Sequence, residues 1–259
     1  MKIFSTEKVI RYILLSICVL ALACIVATVV LLACGVKDEL FHAPDSPLRL
    51  KGKKTVTALE LTPDYGDNYI RNMVFVGDAT IAEMKLHSDL GNLDIWTGEN
   101  GDLSLDYSID TATVVYKGES ISIADATERK NPDYMIITLG IKNGVSYCTE
   151  EKFKSYYGKL LKSIIESSPE TKIILQSVFP ISKEKEKETP SLSNEKIDAA
   201  NSWISELAKK YNVRYLDTAS VLKDGAGMLA ESYDSGNGLT LNEAGYFKVL
   251  EYIRTHGYK

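Results

Sequence analysis

Twenty-five consecutive residues, Tyr12 to Val36, carry no formal charge and include the run ILLSICVLALACIVATVVLLAC. As a helix this stretch would reach roughly 37 Å at about 1.5 Å per residue, enough to cross about 30 Å of bilayer hydrocarbon with some tilt. The pattern predicts a transmembrane helix over 12–36. Lys2, Lys8 and Arg11 precede it, and Asp38 and Glu39 follow it. The positive-inside rule then places residues 1–11 in the cytoplasm and everything after the helix on the outer side of a cell membrane, as a single-pass protein.

Three other readings compete. A cleaved signal peptide has an apolar core of about 7–15 residues, shorter than this one. The stretch Leu31-Leu32-Ala33-Cys34-Gly35 resembles a bacterial lipoprotein cleavage site, which would anchor the outer domain through an acylated Cys34. A buried core helix would be unusual at this length without a charge. Three of the four cysteines, Cys18, Cys24 and Cys34, lie inside the apolar run, so Cys148 is alone in the outer part and no disulfide can form there. No spacing of Cys or His suits a metal ion, and no cofactor is implied.

Charge narrows the partners. Residues 1–54 hold eight Lys/Arg and four Asp/Glu, which leaves 22 basic and 31 acidic residues for 55–259. An acidic domain has no field to attract a phosphate backbone, so nucleic acid is not an expected partner. Residues 37–63 contain Pro44, Pro47 and the basic patch RLKGKK and read as a linker. The outer domain is therefore expected over 64–259, with the membrane as partner through the N-terminal helix.

Within that domain, apolar runs alternate with helical patterns. MVFV (73–76), YMIITL (134–139), KIILQSV (172–178) and VRYL (213–216) read as buried strands. Residues 149–167 place Phe153, Tyr156, Tyr157, Leu160, Leu161, Ile164 and Ile165 at helical spacing, and residues 194–211 do the same with Ile197, Ala200, Ile204, Leu207 and Ala208. Asn242 can cap a last helix. The fold expected is an α/β, three-layer α/β/α arrangement around a mostly parallel, flavodoxin-like sheet. Alternation at Leu103, Leu105, Tyr107 and Ile109, then TVVY and ISI around Lys117-Gly118-Glu119-Ser120, predicts a β-hairpin insertion. KEKEKE (183–188), between Pro180 and Pro190, reads as a solvated loop.

Parallel sheets bind ligands beyond the carboxyl ends of their strands, which nominates the loops at 77–80, 140–144, 179–180, 217–218 and 235–240. These loops carry recognisable motifs. VFVGDAT (74–80) resembles the first block of the SGNH (GDSL) hydrolases, ITLGIKNG (137–144) their third, and NGLTLNEAGY (237–246) their last. The resemblance covers roughly 65–259 and implies an ester-hydrolase fold. It puts the family Ser on Ala79, the family Asp on Asn237 and the family His on Thr240, and the oxyanion Asn on Asn143, one residue late, with Lys142 in the usual slot. The second-block glycine stays open among Gly98, Gly101 and Gly118, of which Gly118 is better explained by a turn.

Acyl transfer of this kind needs an oxygen nucleophile, a base and an orienting carboxylate. Ala79 offers a methyl group, and a threonine hydroxyl does not exchange protons near neutral pH as imidazole does. The resemblance thus implies a degenerate hydrolase with no catalytic triad, whose cleft of Asp78, Ala79, Thr80, Gly140, Asn143, Asn237 and Thr240 binds a cell-wall or surface glycan, or an acylated envelope ligand. The competing expectation is an active ester hydrolase or O-acyl transfer enzyme using non-standard residues. A purely structural role in an envelope complex is a third. Asp78 reads as a structural residue of the strand-to-helix turn, and His42, His87 and His256 are not placed to serve as a base.

Overall fold

The computed structural model describes residues 57–259 except 88, 89, 91 and 102. The expected cytoplasmic segment, the transmembrane helix, Cys34 and most of the linker lie outside the described residues. Among those described, no helix is long and apolar enough to cross a membrane.

The central sheet holds five strands: β1 (Met73–Gly77), β2 (Asp94–Trp96), β5 (Tyr134–Thr138), β6 (Lys172–Gln176) and β7 (Arg214–Leu216). Their spatial order is β2-β1-β5-β6-β7, and every pairing is parallel. Helices α1 (Gly66–Arg71), α2 (Ala79–Ala82), α3 (Ile123–Lys130), α4 (Glu150–Ser167), α5 (Lys183–Glu188), α6 (Asn194–Lys210), α7 (Ala219–Leu222) and α8 (Glu243–Thr255) complete the regular structure, with the hairpin β3 (Thr113–Tyr116) and β4 (Glu119–Ser122).

Strand periodicity sorts side chains into two cores. Val74, Val76, Met135, Ile137, Ile173 and Leu175 pack with Phe153, Tyr157, Leu160 and Leu161 of α4 and with Ile197, Ala200 and Ile204 of α6. The alternate positions Met73, Phe75, Ile136, Ile174 and Leu216 pack with Tyr69 and Ile70 of α1 and with Tyr246, Val249 and Ile253 of α8. Successive residues on a strand point to opposite faces, so five short apolar strands buried on both sides dictate three layers. This is the α/β/α fold expected. Strand order reverses direction between β1 and β5, the place where such sheets bind ligands.

Helix starts follow the capping rules. Thr149, Ser193 and Asn242 each accept a hydrogen bond from the backbone N–H three residues on, at Lys152, Lys196 and Gly245. KEKEKE behaves in the same way: Ser182 accepts from the Lys185 N–H, and the six residues form α5 instead of a loop. Lys and Glu are good helix formers, and a side-chain cap suffices to start one turn even though the helix buries nothing.

Two further expectations change. The 103–109 alternation is not a strand. The Asp106 carboxylate accepts from Ser108 N at 2.9 Å and Ser108 Oγ at 2.6 Å, which turns the chain and leaves Tyr107 74% exposed while Leu103, Leu105 and Ile109 stay buried. The hairpin itself forms, but its turn is only Lys117-Gly118, at φ 50° and 84°. Two consecutive positive φ values make the tight turn that matches strand twist, and Glu119-Ser120 already belong to β4. At the other end of the domain, residues 57–59 run beside β7: Tyr215 N donates to Thr57 O, and Leu59 N donates to Tyr215 O.

Two predictions follow from packing. A Cβ on Gly77 would lie 2.5 Å from Ile81 Cβ and 2.9 Å from Thr138 O, with no flexible group to yield at the carbonyl. Gly77→Ala is expected to cost about 3 kcal/mol, the upper end for overpacking, read as a lowered denaturation midpoint. Burial also pushes the Tyr69 phenol up to about 12 and raises Tyr157, Tyr215 and Tyr246 further. Unfolded tyrosine ionises near about 10, so this stability is complete below that pH and is lost as pH rises through the folded values. An alkaline titration followed at 295 nm should show these phenolates emerging together with loss of helical circular dichroism, not before it.

Candidate functional site

The site is organised around a carboxylate. Asp78 ends β1 in extended conformation (φ −83°, ψ −160°), and its side chain is 1% exposed. Oδ1 accepts from Thr80 N at 3.1 Å and from Thr80 Oγ1 at 2.8 Å, so it caps α2. The backbone N–H groups of Lys142 and Gly140 lie near enough to this carboxylate to favour its charged form. Burial pushes the carboxyl above the usual carboxylate range, and the Thr80 hydrogen bonds and the nearby amides offset only part of that rise. The first and third motif loops thus approach each other at Asp78. Asp78 has the structural role expected for it.

Thr80 is 2% exposed and spends its hydroxyl proton on Asp78, so it is not presented as a nucleophile. Ala79 begins α2 with a methyl group. Gly101 lies against it: a Cβ there would come within 3.6 Å of Ala79 Cα and 3.0 Å of Ala82 Cβ, and φ is +77°. Sequence reading could not choose among three glycines, because closeness to Ala79 is a tertiary property. Gly118 has open space around it and serves the hairpin turn.

The loop after β5 is irregular. Gly140 takes φ 145°, where a Cβ would meet Val178 at 2.9 Å, and Asn143 takes φ 61°. Asn tolerates this left-handed conformation better than most residues, which accounts for its place here. The Asn143 side chain is exposed, and the Asn143 backbone carbonyl accepts from Cys148 Sγ at 3.4 Å. Lys142 carries the loop's structural contacts: its N–H lies near Asp78, and its carbonyl accepts from Leu105 N at 3.2 Å.

The third segment precedes α8. Asn237 Oδ1 accepts from Leu239 N at 2.8 Å and Thr240 N at 2.9 Å, while Nδ2 donates to Thr240 Oγ1 at 2.8 Å. Ser235 Oγ lies 2.8 Å from the same Thr240 oxygen, and Thr240 is 5% exposed. Asp234 accepts from Gly236 N and Gly238 N. Asn237 and Thr240 therefore form a closed polar knot that shapes their own loop. That loop is tied to its surroundings by Ser182 N donating to Gly238 O at 2.9 Å, and α8 is tied to α2 by Tyr246 Oη donating to Thr80 O at 2.6 Å.

The histidines fall elsewhere. Helix α2 stops at Ala82 and passes into a 3-10 turn over Glu83–Leu86, so His87 is not on a continuous helix. Its ring packs 5.3 Å from that of Tyr246. His256 stacks on Tyr252 at the far end of α8, with Nδ1 2.9 Å from Tyr252 O. His42 lies outside the described residues.

Asp78→Ala would leave the Thr80 N–H and the Thr80 hydroxyl without their acceptor in a buried place. The expected loss is at least about 3 kcal/mol, measured by thermal or denaturant unfolding. Tyr246→Phe removes one buried hydrogen bond and should cost only about 1 kcal/mol.

Comparison with known proteins agrees with this architecture. A model of the GDSL-like lipase/acylhydrolase family matches residues 80–247. Among solved structures, one described as a platelet activating factor from Streptococcus pneumonia is 21% identical, with 70% of this chain and 81% of that one covered and a TM-score of 0.51. The OSK domain of Drosophila Oskar is 14% identical over 78% of this chain and 95% of its own, with a TM-score of 0.50. A lipolytic protein of the G-D-S-L family from Desulfitobacterium hafniense is 18% identical over 70% and 97%, at 0.47. At these identities the likeness to the first two is one of fold alone. No curated protein matches the chain. With a family match over residues 80–247, well over half of its length, the chain belongs to the GDSL-like lipase/acylhydrolase (SGNH) family.

Proposed function

We propose that this is a membrane-tethered, extracytoplasmic member of the family that has lost hydrolysis and uses the inherited cleft to bind a glycan or an acylated envelope ligand. The observation that carries this reading is the state of the three positions to which the motifs assign the triad. Ala79 has no attacking atom. Asn237 commits its oxygen to two backbone N–H groups and its nitrogen to Thr240. Thr240 holds a buried hydroxyl shared between Asn237 and Ser235.

Chemistry supports the same conclusion. An alkyl hydroxyl is no base near neutral pH, and an amide cannot stabilise an imidazolium as a carboxylate does. In a serine hydrolase, loss of the nucleophile alone can lower turnover by about a millionfold. The supporting framework meanwhile stays complete: the Asp78 clamp, Gly101 against Ala79, and the capped start of α8. Asn143, exposed on the rim, is the free polar side chain best suited to a ligand hydroxyl or acyl carbonyl. Tethering rests on the uncharged 12–36 run and its flanking charges.

The test uses the full-length chain in detergent with a short-chain aryl ester. Wild type should stay at the buffer rate, and Ala79→Ser, Asn237→Asp and Thr240→His combined should raise hydrolysis clearly above it. Robust wild-type turnover blocked by a serine-directed phosphonate would overturn the reading. A glycan-array screen of the wild-type chain should return binding that Asn143→Ala weakens. For the tether, the chain should sediment with membranes and be trimmed by protease added outside intact cells.

A further inference from the structure

Four buried, uncharged side-chain atoms lack a hydrogen-bond partner among the described residues: Thr138 Oγ1, Gln176 Nε2, Gln176 Oε1 and Thr218 Oγ1. They are not scattered. Thr138 closes β5 and Gln176 closes β6; the register Ile137 with Leu175 brings these two side by side one step further on. Gln176 in turn pairs with Leu216 of β7, and Thr218 follows two residues later. The turn that carries Thr218 is held to β6, because Ala219 N donates to Ser177 Oγ at 2.8 Å. Thr138 and Gln176 lie two residues beyond Ile136 and Ile174, which face the α8 core, and therefore share that face.

Exposures of 3%, 1% and 0% for Thr138, Gln176 and Thr218 exclude bulk solvent as the partner. Exchanging the amide oxygen and nitrogen of Gln176 does not help, since neither atom is paired. Buried polar groups are almost always satisfied, and where no protein group does so the usual partner is ordered water. No charged side chain belongs to the row, which argues against an ion. A partner that donates and accepts at once is needed, because the row presents an amide N–H₂, an amide oxygen and two hydroxyls.

We propose that Thr138, Gln176 and Thr218 form an internal hydration site, in which one or two water molecules bridge the Gln176 amide to the two threonine hydroxyls. These waters tie together the rims of β5, β6 and β7 directly beneath the loops that build the cleft. The site depends on the fold alone and is independent of what the cleft binds.

Diffraction from the full-length protein, at a resolution that shows ordered solvent, should place water within hydrogen-bonding distance of at least two of the three side chains. The near-isosteric variants Thr218→Val and Gln176→Met supply a second reading. If water is bound, each removes a bridged group and lowers the melting temperature by about 2–4 °C. If the row is dry, each removes an unpaired polar atom and leaves the melting temperature unchanged or raises it. Thr138→Val serves in the same way should Gln176→Met fail to fold. The proposal is overturned by density without solvent at the row, or by variants that melt at or above wild type.

Discussion

A single buried carboxylate sets the geometry of the cleft. Asp78 follows β1 at the reversal of strand order, collects two hydrogen bonds from its own turn and lies near amides of the loop after β5. Loops at that reversal would otherwise diverge, since neighbouring crossovers leave the sheet on opposite faces. Burial makes the charged form expensive, and only donors in fixed positions make it tolerable. The backbone of the loop after β5 is irregular at Gly140 and Asn143, which bends the chain sharply beside Asp78.

The same economy is visible around α8. Asn242 caps the helix and also donates to the carbonyls of Ser232 and Asp234, so the turn and the helix start are one unit. Tyr246 carries that unit across to Thr80. Of positions 79, 237 and 240, only Ala79 takes no side-chain part in these supports, since Asn237 and Thr240 hold their own loop.

Much of this was legible in advance. The strands were long enough and apolar enough to be found, as were helices α4, α6 and α8, whose periodicity and caps agree. Strand β2 (Asp94–Trp96) is not among the strands expected from the sequence, although it is as long as β7. The alternation at 103–109 misled, since three of its four apolar residues are buried by a turn that Asp106 creates and not by a ladder. KEKEKE formed a helix where a loop was expected, because a serine cap acts at a distance of three residues and owes nothing to burial. Motif residues could be assigned by position, but Gly101 could not, as nothing local separates it from Gly98.

What the amino-acid order determined by itself was whatever depends on neighbours along the chain: the uncharged N-terminal run, the strand and helix periods, the capping residues, and the absence of a serine after Asp78. Tertiary structure alone decided which distant groups meet. It gave Asp78 the amides of Gly140 and Lys142, set Gly101 against Ala79, closed Tyr246 onto Thr80, and gathered three orphaned polar side chains at adjacent strand ends. Period and propensity are read within a few residues, whereas the pairing of buried polar groups is settled only when the layers close and water is expelled, and that happens across the whole domain.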